Sequence, residues 1–283
     1  MKIGSYGIFA EKAGHFRLDG GAMFGVVPKV FWETMHPADD KNRILLSTSL
    51  VLLADGKKNI LIDTGNCDAA SDKMKSIYSM DSSEYSMQNF LSRSGISRED
   101  ITDVILTHLH FDHAGGAVSD DGTGALMPAF PNAVYHVQKK QFAWAMDPSG
   151  RDRASYMTEQ ILPIREAGRL SLVDGPGELF PGIELIVVNG HTPGMQLPLI
   201  SGGGETLLYG GDLIPLRSHI APPWIMAYDL KPLKTLEEKE RILGQAADEN
   251  WMIFFEHDPA VSCCRIERQK NGFRMKEEVA LNR

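Results

Sequence analysis

The chain has 283 residues, of which 43% are hydrophobic and 23% charged, with a formal net charge of -8. That length holds one large or two small domains, and the composition is that of an ordinary soluble globular enzyme. The acidic balance argues against a polyanionic partner such as nucleic acid, though not against a locally positive site made by metal ions. The three cysteines are Cys67, Cys263 and Cys264. An odd count with one adjacent pair is a poor disulfide framework and points to a reducing compartment. The opening residues Met1 to Gly7 carry no apolar run and no cleavage site, so no secretory signal is expected. The apolar run from Leu45 to Leu53 stops at Asp55-Gly56, too short to span a bilayer. The expected location is the cytoplasm, away from membranes.

Residues 1–43 show little periodicity and read as an N-terminal loop or extension. Within them Asp19-Gly20-Gly21-Ala22-Met23-Phe24-Gly25-Val26-Val27-Pro28-Lys29 alternates glycines with large apolar side chains. It is either a plain loop or a loop whose Met23, Phe24 and Val26 wall a substrate pocket. Ile44 to Leu53 is β-rich, Asp55-Gly56 marks a hairpin, and Asn59 to Ile62 is the paired strand. Residues 68–83 are polar and read as a surface excursion. Glu84 to Ser94 reads as a helix closed by Gly95, and Ser97 with Asp100 as the cap of a second, short one.

The apolar strand 103–106 then delivers Thr107-His108-Leu109-His110-Phe111-Asp112-His113-Ala114-Gly115-Gly116. Three imidazoles and a carboxylate within six residues exceed what packing needs, and they are the donors that borderline cations such as Zn²⁺ prefer. If the backbone stays extended at first, His108 and His110 point the same way. A turn would then present Asp112 and His113 as a second pair, which suits two neighbouring metal ions.

Beyond it, 117–132 reads as loop, 133–137 as strand, 138–146 as helix, and 151–167 as a helix interrupted near Pro163. Strand 182–188 leads to Gly190-His191-Thr192-Pro193-Gly194. A hairpin follows, with strands at 196–200 and 206–210, and leads to Gly211-Asp212. Helix 236–250 precedes strand 252–255, which ends at Glu256-His257-Asp258, and a terminal hairpin follows. An apolar strand followed by a ligand residue beside glycine or a turn thus recurs at His108–His113, His191, Asp212 and His257. Taken singly, His191 or Asp212 reads as a turn residue and His257 as a core histidine; taken together they read as one site.

In order and rough spacing these segments resemble the metallo-β-lactamase superfamily, and Asp63-Thr64-Gly65 matches its early Asp. The resemblance runs from about residue 44 to the C-terminus. It implies one domain with an α/β (α+β) αββα sandwich, two mixed sheets flanked by helices, and a dinuclear site at one edge. His108, His110 and His191 would hold one metal, Asp112, His113 and His257 a second, and Asp212 would bridge. The two divalent ions would be Zn, with Mn, Fe or Co also compatible. Asp63 would accept a hydrogen bond from a ligand imidazole and fix its tautomer. The segments 19–29 and 108–116, Gly-Asp-Leu-Ile-Pro at 211–215 and Pro-Trp at 223–224 look like the YtnP-like quorum-quenching lactonases, related to methyl parathion hydrolase. They imply opening of N-acyl-homoserine lactones by a water that the two metals activate.

One departure is Pro215, where many other lactonases of the superfamily carry a Tyr. His219, Tyr228 or a metal-bound water would fill the role of that Tyr, and Asp112 would pass a proton to the leaving alkoxide. The expected partner is a small ester or lactone, and a homodimer stays open. Gly-x-Ser-x-Gly is absent, which removes the serine-hydrolase route. The rivals are a phosphotriesterase on the same scaffold, a β-lactamase and a non-catalytic binding protein. A nuclease would want a basic stretch, and a flavodiiron protein a Glu in place of His110.

Overall fold

The computed structural model describes residues 1–67 and 70–282. The chain begins with strands β1 (Lys2–Ile3) and β2 (Tyr6–Asp19), then helices α1 (Gly20–Phe24) and α2 (Lys29–Trp32). Strands β3 (Arg43–Ala54) and β4 (Asn59–Ile62) form the hairpin at Asp55-Gly56. Helices α3 (Asp72–Tyr78) and α4 (Met87–Ser94) precede β5 (Asp103–Ile105), and α5 (Phe111–Ala114) follows it. A small hairpin of β6 (Val118–Asp120) and β7 (Leu126–Pro128) leads to β8 (Val134–Gln138), α6 (Lys139–Met146), α7 (Leu162–Glu166) and β9 (Leu170–Val173). The second half runs through β10 (Gly177–Phe180), β11 (Ile183–Val188), β12 (Met195–Gly202) and β13 (Glu205–Tyr209). It ends with α8 (Pro232–Asp248), β14 (Met252–Phe254), β15 (Cys263–Gln269) and β16 (Gly272–Glu278).

Two seven-stranded mixed sheets result, ordered β1-β2-β3-β4-β5-β8-β9 and β10-β11-β12-β13-β14-β15-β16. The apolar run of β3 is continuous because both of its faces are covered. Leu50 and Leu52 face α4 and α6 with Phe90, Leu91 and Ala145. Val51 and Leu53 face the second sheet, with Leu207, Tyr209, Met252 and Phe254. On the far side, Ile242, Leu243 and Ala246 of α8 cover Val188, Leu197, Leu208 and Ile253. The layers are helix, sheet, sheet, helix: the αββα sandwich. The central strands β4, β5 and β8 run parallel, as do β13 and β14, so their carboxyl ends lie together at one edge.

Several expected elements differ. Residues 1–43 are not a loop: β2 pairs with β3 over eleven positions. Its alternation breaks at a bulge between Lys12 and His15, which hides the strand pattern from a period-two reading. No helix follows Ser97. Asp100 Oδ2 does accept from Ser97 N and Oγ, but the chain turns straight into β5. Residues 151–167 are short 3₁₀ turns and the five-residue α7, which starts just before Pro163 because proline is tolerated only in a first helical turn. The 68–83 excursion contains α3, and its residues 68 and 69 lie outside the described residues. No described helix is long and apolar enough to cross a membrane.

Candidate metal centre

Loops at the carboxyl ends of β4, β5, β11, β13 and β14 bring the histidine and aspartate residues to one edge. After β5 the chain stays extended to His110, whose carbonyl then accepts from His113 N and Ala114 N. That turn is α5, and it brings the His113 ring to 4.0 Å from that of His108. Gly116 permits it: a Cβ there would stand 2.2 Å from the Thr64 carbonyl oxygen. Gly190 does the same before His191, where a Cβ would meet the start of α8 at Thr235 Oγ1, 2.3 Å away.

Two sets of donors converge. His108, His110, His191 and Asp212 form one, and Asp112, His113 and His257 the other; all seven are buried. His110 Nδ1 lies 3.0 Å from His108 Nε2 and 3.2 Å from His191 Nε2. Asp212 faces both sets with different oxygens. Its Oδ2 is 3.2 Å from His191 Nε2 and 3.8 Å from His108 Nε2, and its Oδ1 is 3.1 Å from His257 Nε2 and 3.4 Å from His113 Nε2.

The outward nitrogens fix the tautomers. His257 Nδ1 lies 2.8 Å from the Ser47 carbonyl, which only accepts. His191 Nδ1 donates to Asp229 Oδ1 at 2.7 Å. His113 Nδ1 is 3.0 Å from both Asp63 Oδ2 and Glu256 Oε2. Thr107 Oγ1 gives its proton to Asp63 Oδ2 and so accepts from His108 Nδ1. With the outward nitrogen of each of these four rings taken as donor, the neutral form of each would turn an Nε2 lone pair inward. His113 and His257 Nε2 stand 3.1 Å apart, so a positive charge, proton or metal, is needed to relieve the facing lone pairs.

The electrostatics agree. Burial pulls His191 and His257 down, but Asp212 outweighs it and holds them at about 10 and about 9. Burial also opposes ionisation of Asp212, yet His113, His191 and His257 keep its carboxyl well below the usual range. Positive charge is favoured between these groups, as proton or as metal. Burial and the adjoining imidazoles push His108 and His110 well down, leaving lone pairs free to coordinate. The donor set, N and O with outward hydrogen bonds fixing four of the five rings, fits divalent cations.

A cavity of about 270 Å³ opens over His110, Asp112, His191 and Asp212. Leu18, Tyr78 and Phe111 form an apolar wall, with the Tyr78 ring stacked on Phe111 at 4.6 Å; Arg151, Ser155 and Tyr228 also line it. Tyr228 was expected near the chemistry and does line the cavity. Burial, aided by Asp19, Tyr78 and the site carboxylates, raises its phenol well above the ordinary value. Asp63 stands behind His113, its Oδ2 3.0 Å from His113 Nδ1.

The pocket-wall and His219 expectations are corrected. Met23 and Phe24 are fully buried in an aromatic cluster with Phe16, Trp32 and Leu216, and neither lines the cavity. Val26 is 91% exposed. Large apolar side chains on a short helix that follows a core strand pack inward, not toward the site. His219 is stacked on Phe24 at 5.3 Å and bonded through Nε2 to the Met23 carbonyl. Burial, with Lys239 nearby, pushes it down to about 3, so it is a neutral core histidine with no face on the cavity.

Sequence reasoning missed Asp229, Glu256, Tyr78 and Arg151. Asp229 is 38 residues from His191 and lies in no recognisable motif; only the fold pairs them. Glu256 was visible beside His257, but alternation along β14 does not tell that it reaches behind His113.

A sequence profile described as the Metallo-beta-lactamase superfamily matches residues 43–257. The N-acyl homoserine lactonase AiiA of Bacillus thuringiensis subsp. kurstaki is 30% identical over 196 residues, which are 65% of this chain. The matched stretch spans 63% of that relative, under two thirds of its length. Among solved structures, a probable metal-dependent hydrolase from Staphylococcus aureus superposes with a TM-score of 0.87 at 29% identity, covering 99% of this chain and all of the other. AidC, a dizinc quorum-quenching lactonase, shares the fold with a TM-score of 0.82 at 23% identity, over 100% of this chain and 97% of its own. With a profile match over residues 43–257, more than half its length, the chain belongs to the metallo-β-lactamase superfamily.

Proposed function

We propose that the chain is a metal-dependent hydrolase that opens lactone rings of the N-acyl-homoserine lactone type, with two divalent cations bound per chain. In this reading His108, His110 and His191 would hold one cation, and Asp112, His113 and His257 the other, with Asp212 between the two sets. The observation that carries it is the division of Asp212, one oxygen toward each set of imidazoles. The lactonase relative at 30% identity supports the substrate class.

When bound, such cations polarise a carbonyl and lower the pKa of water. The protein supplies the rest. Asp229, Asp63, Thr107 and the Ser47 carbonyl hold four imidazoles in the coordinating tautomer. Asp112, with its carboxylate at the cavity floor, is placed to accept a proton during attack. The leaving group of a lactone is an alkoxide, which is strongly basic and gains from a donor. Tyr228, on the polar side of the cavity, is the phenol assigned to that step, in the place of the Tyr that Pro215 replaces. Leu18, Tyr78 and Phe111 give the acyl chain an apolar wall.

The test is a panel of lactones, phosphotriesters and β-lactams on metal-loaded protein, with Tyr228→Phe beside the wild type. The expected result is the highest kcat/KM on an amide-substituted γ-lactone. Tyr228→Phe should slow that reaction ~100-fold or more, the usual scale of general acid catalysis, and aryl phosphotriester hydrolysis much less. A preference for phosphotriesters would transfer the assignment to that rival. Equal slowing of both reactions would remove Tyr228 as donor.

A further inference from the structure

The polar wall of the cavity carries one feature that opening a plain alkyl lactone does not need. Arg151 and Asp152 both line it, but they do not pair with each other. Asp152 is buried, with one oxygen taken by Trp144 Nε1 at 2.7 Å and the other by Ser149 Oγ at 2.6 Å. Both carboxylate oxygens are thus already engaged by neutral donors. Among the described residues, Arg151 makes no ion pair with any carboxylate, in a chain of net charge -8. Its guanidinium is instead tied through Nη2 to the Ala227 carbonyl, on the segment that carries Tyr228. Ala227 is itself fixed, since its N donates to the Ala22 carbonyl at 2.8 Å. A cation is thus anchored by one corner, with its remaining N–H groups uncommitted. Ser155 adds a hydroxyl on the same wall, and Leu18, Tyr78 and Phe111 make up the apolar one.

Guanidinium presents a planar fork of donors that matches a carboxylate in two parallel hydrogen bonds, and charge-assisted bonds of this kind are about twice as strong as neutral ones. The anchoring contact lowers the side-chain entropy lost on binding. We propose that Arg151 is a specificity-determining residue for this cavity. It selects substrates whose acyl portion carries a carboxylate away from the bond that is cleaved. The apolar wall holds the methylenes between the two ends. The proposal rests on the hydrolase reading above and names the substrate class within it.

The experiment compares two γ-lactones with amide-linked acyl chains of equal length, one ending in methyl and one in carboxylate. The same two chains are also mounted on open-chain aryl esters. Metal-loaded wild type, Arg151→Lys and Arg151→Ala are assayed on all four, with thermal melting as a control for folding. The wild type should favour each carboxylate-ended compound over its methyl-ended partner. Arg151→Ala should raise KM for the carboxylate-ended compounds ~10-fold or more, the scale of a hydrogen bond to a charged group, with kcat and the methyl-ended compounds little changed. Arg151→Lys should keep part of the preference, because the charge remains and the fork is lost. The preference should weaken with added salt. No preference in the wild type, or equal losses on both tails in Arg151→Ala, would overturn the proposal and leave Arg151 as a tie between two loops. If neither lactone is opened, the lactone reading fails, and the aryl ester pair decides the role of Arg151 by itself.

Discussion

Asp63 has a backbone φ of 55°, a left-handed conformation that non-glycine residues seldom adopt. The strain is offset by three hydrogen bonds to its carboxylate, from Thr107 N at 2.7 Å, Thr107 Oγ1 at 2.6 Å and His113 Nδ1 at 3.0 Å. Asp63→Asn should weaken metal affinity by ~10–100-fold, the usual consequence of disturbing the partner of a ligand imidazole. Chelator titration with inductively coupled plasma detection measures this, and unchanged retention would make Asp63 a structural turn only. Asp103 gives a separate test away from the site. Burial opposes its ionisation, but His136, Lys58 and Thr102 outweigh it and hold the carboxyl at about 2. Its folded pKa lies below the unfolded value, so its contribution is full above about pH 4 and is lost as pH falls toward 2. Asp103→Asn should cost about 2 kcal/mol at pH 7 and much less near pH 2.5, read by urea unfolding of the chelated protein at both pH values. At this scale the convergent histidines and aspartates were legible as a cluster because their density and spacing have no packing purpose. Asp229 and Glu256 were not, since each meets its histidine only through the fold. His219 was misread for the same reason: nothing in its neighbours in sequence tells that Phe24 covers it.

Among the elements, the long apolar runs declared themselves. β3, β4, β14 and α8 lie close to where hydrophobic pattern and helix formers put them. β2 did not, because the bulge at Lys12–His15 moves its buried side chains out of phase, and because Ala13-Gly14 offers no strand signal there. The edge strands β9 and β10 are short and partly exposed, so their alternation is weak. The turn after β5 was legible as a turn, but not the reason for two glycines. Residues 115–116 lie against the 64–67 segment, with Gly116 N donating to the Gly65 carbonyl at 3.0 Å. Gly116→Ala would force that backbone apart and shift α5, which carries Asp112 and His113. The expected outcome is a folded chain with reduced metal retention in the half of the site built by α5, and a melting temperature lowered by several degrees for each ~1 kcal/mol lost. Wild-type metal retention in this variant would separate the glycines from the site.

In the whole molecule, two sheets face each other across an apolar core, and the parallel strands at the centre of each send their carboxyl ends to the same edge. Neither sheet alone holds a complete donor set: His108, His110, Asp112 and His113 follow β5, whereas His191, Asp212 and His257 follow β11, β13 and β14. Gln196 stitches the halves near the site, donating to the Leu106 and His136 carbonyls at 2.8 and 2.9 Å, while its N donates to the Thr107 carbonyl. The central claim is that this junction holds two cations, shared by Asp212. It is tested most directly by elemental analysis of protein loaded with metal and then freed of excess, with activity measured on the same samples. The account predicts two ions per wild-type chain, activity that rises with the second, and loss of much of both in Asp212→Ala. Full activity with a single tightly held ion, or an Asp212→Ala chain that keeps both ions, would contradict it.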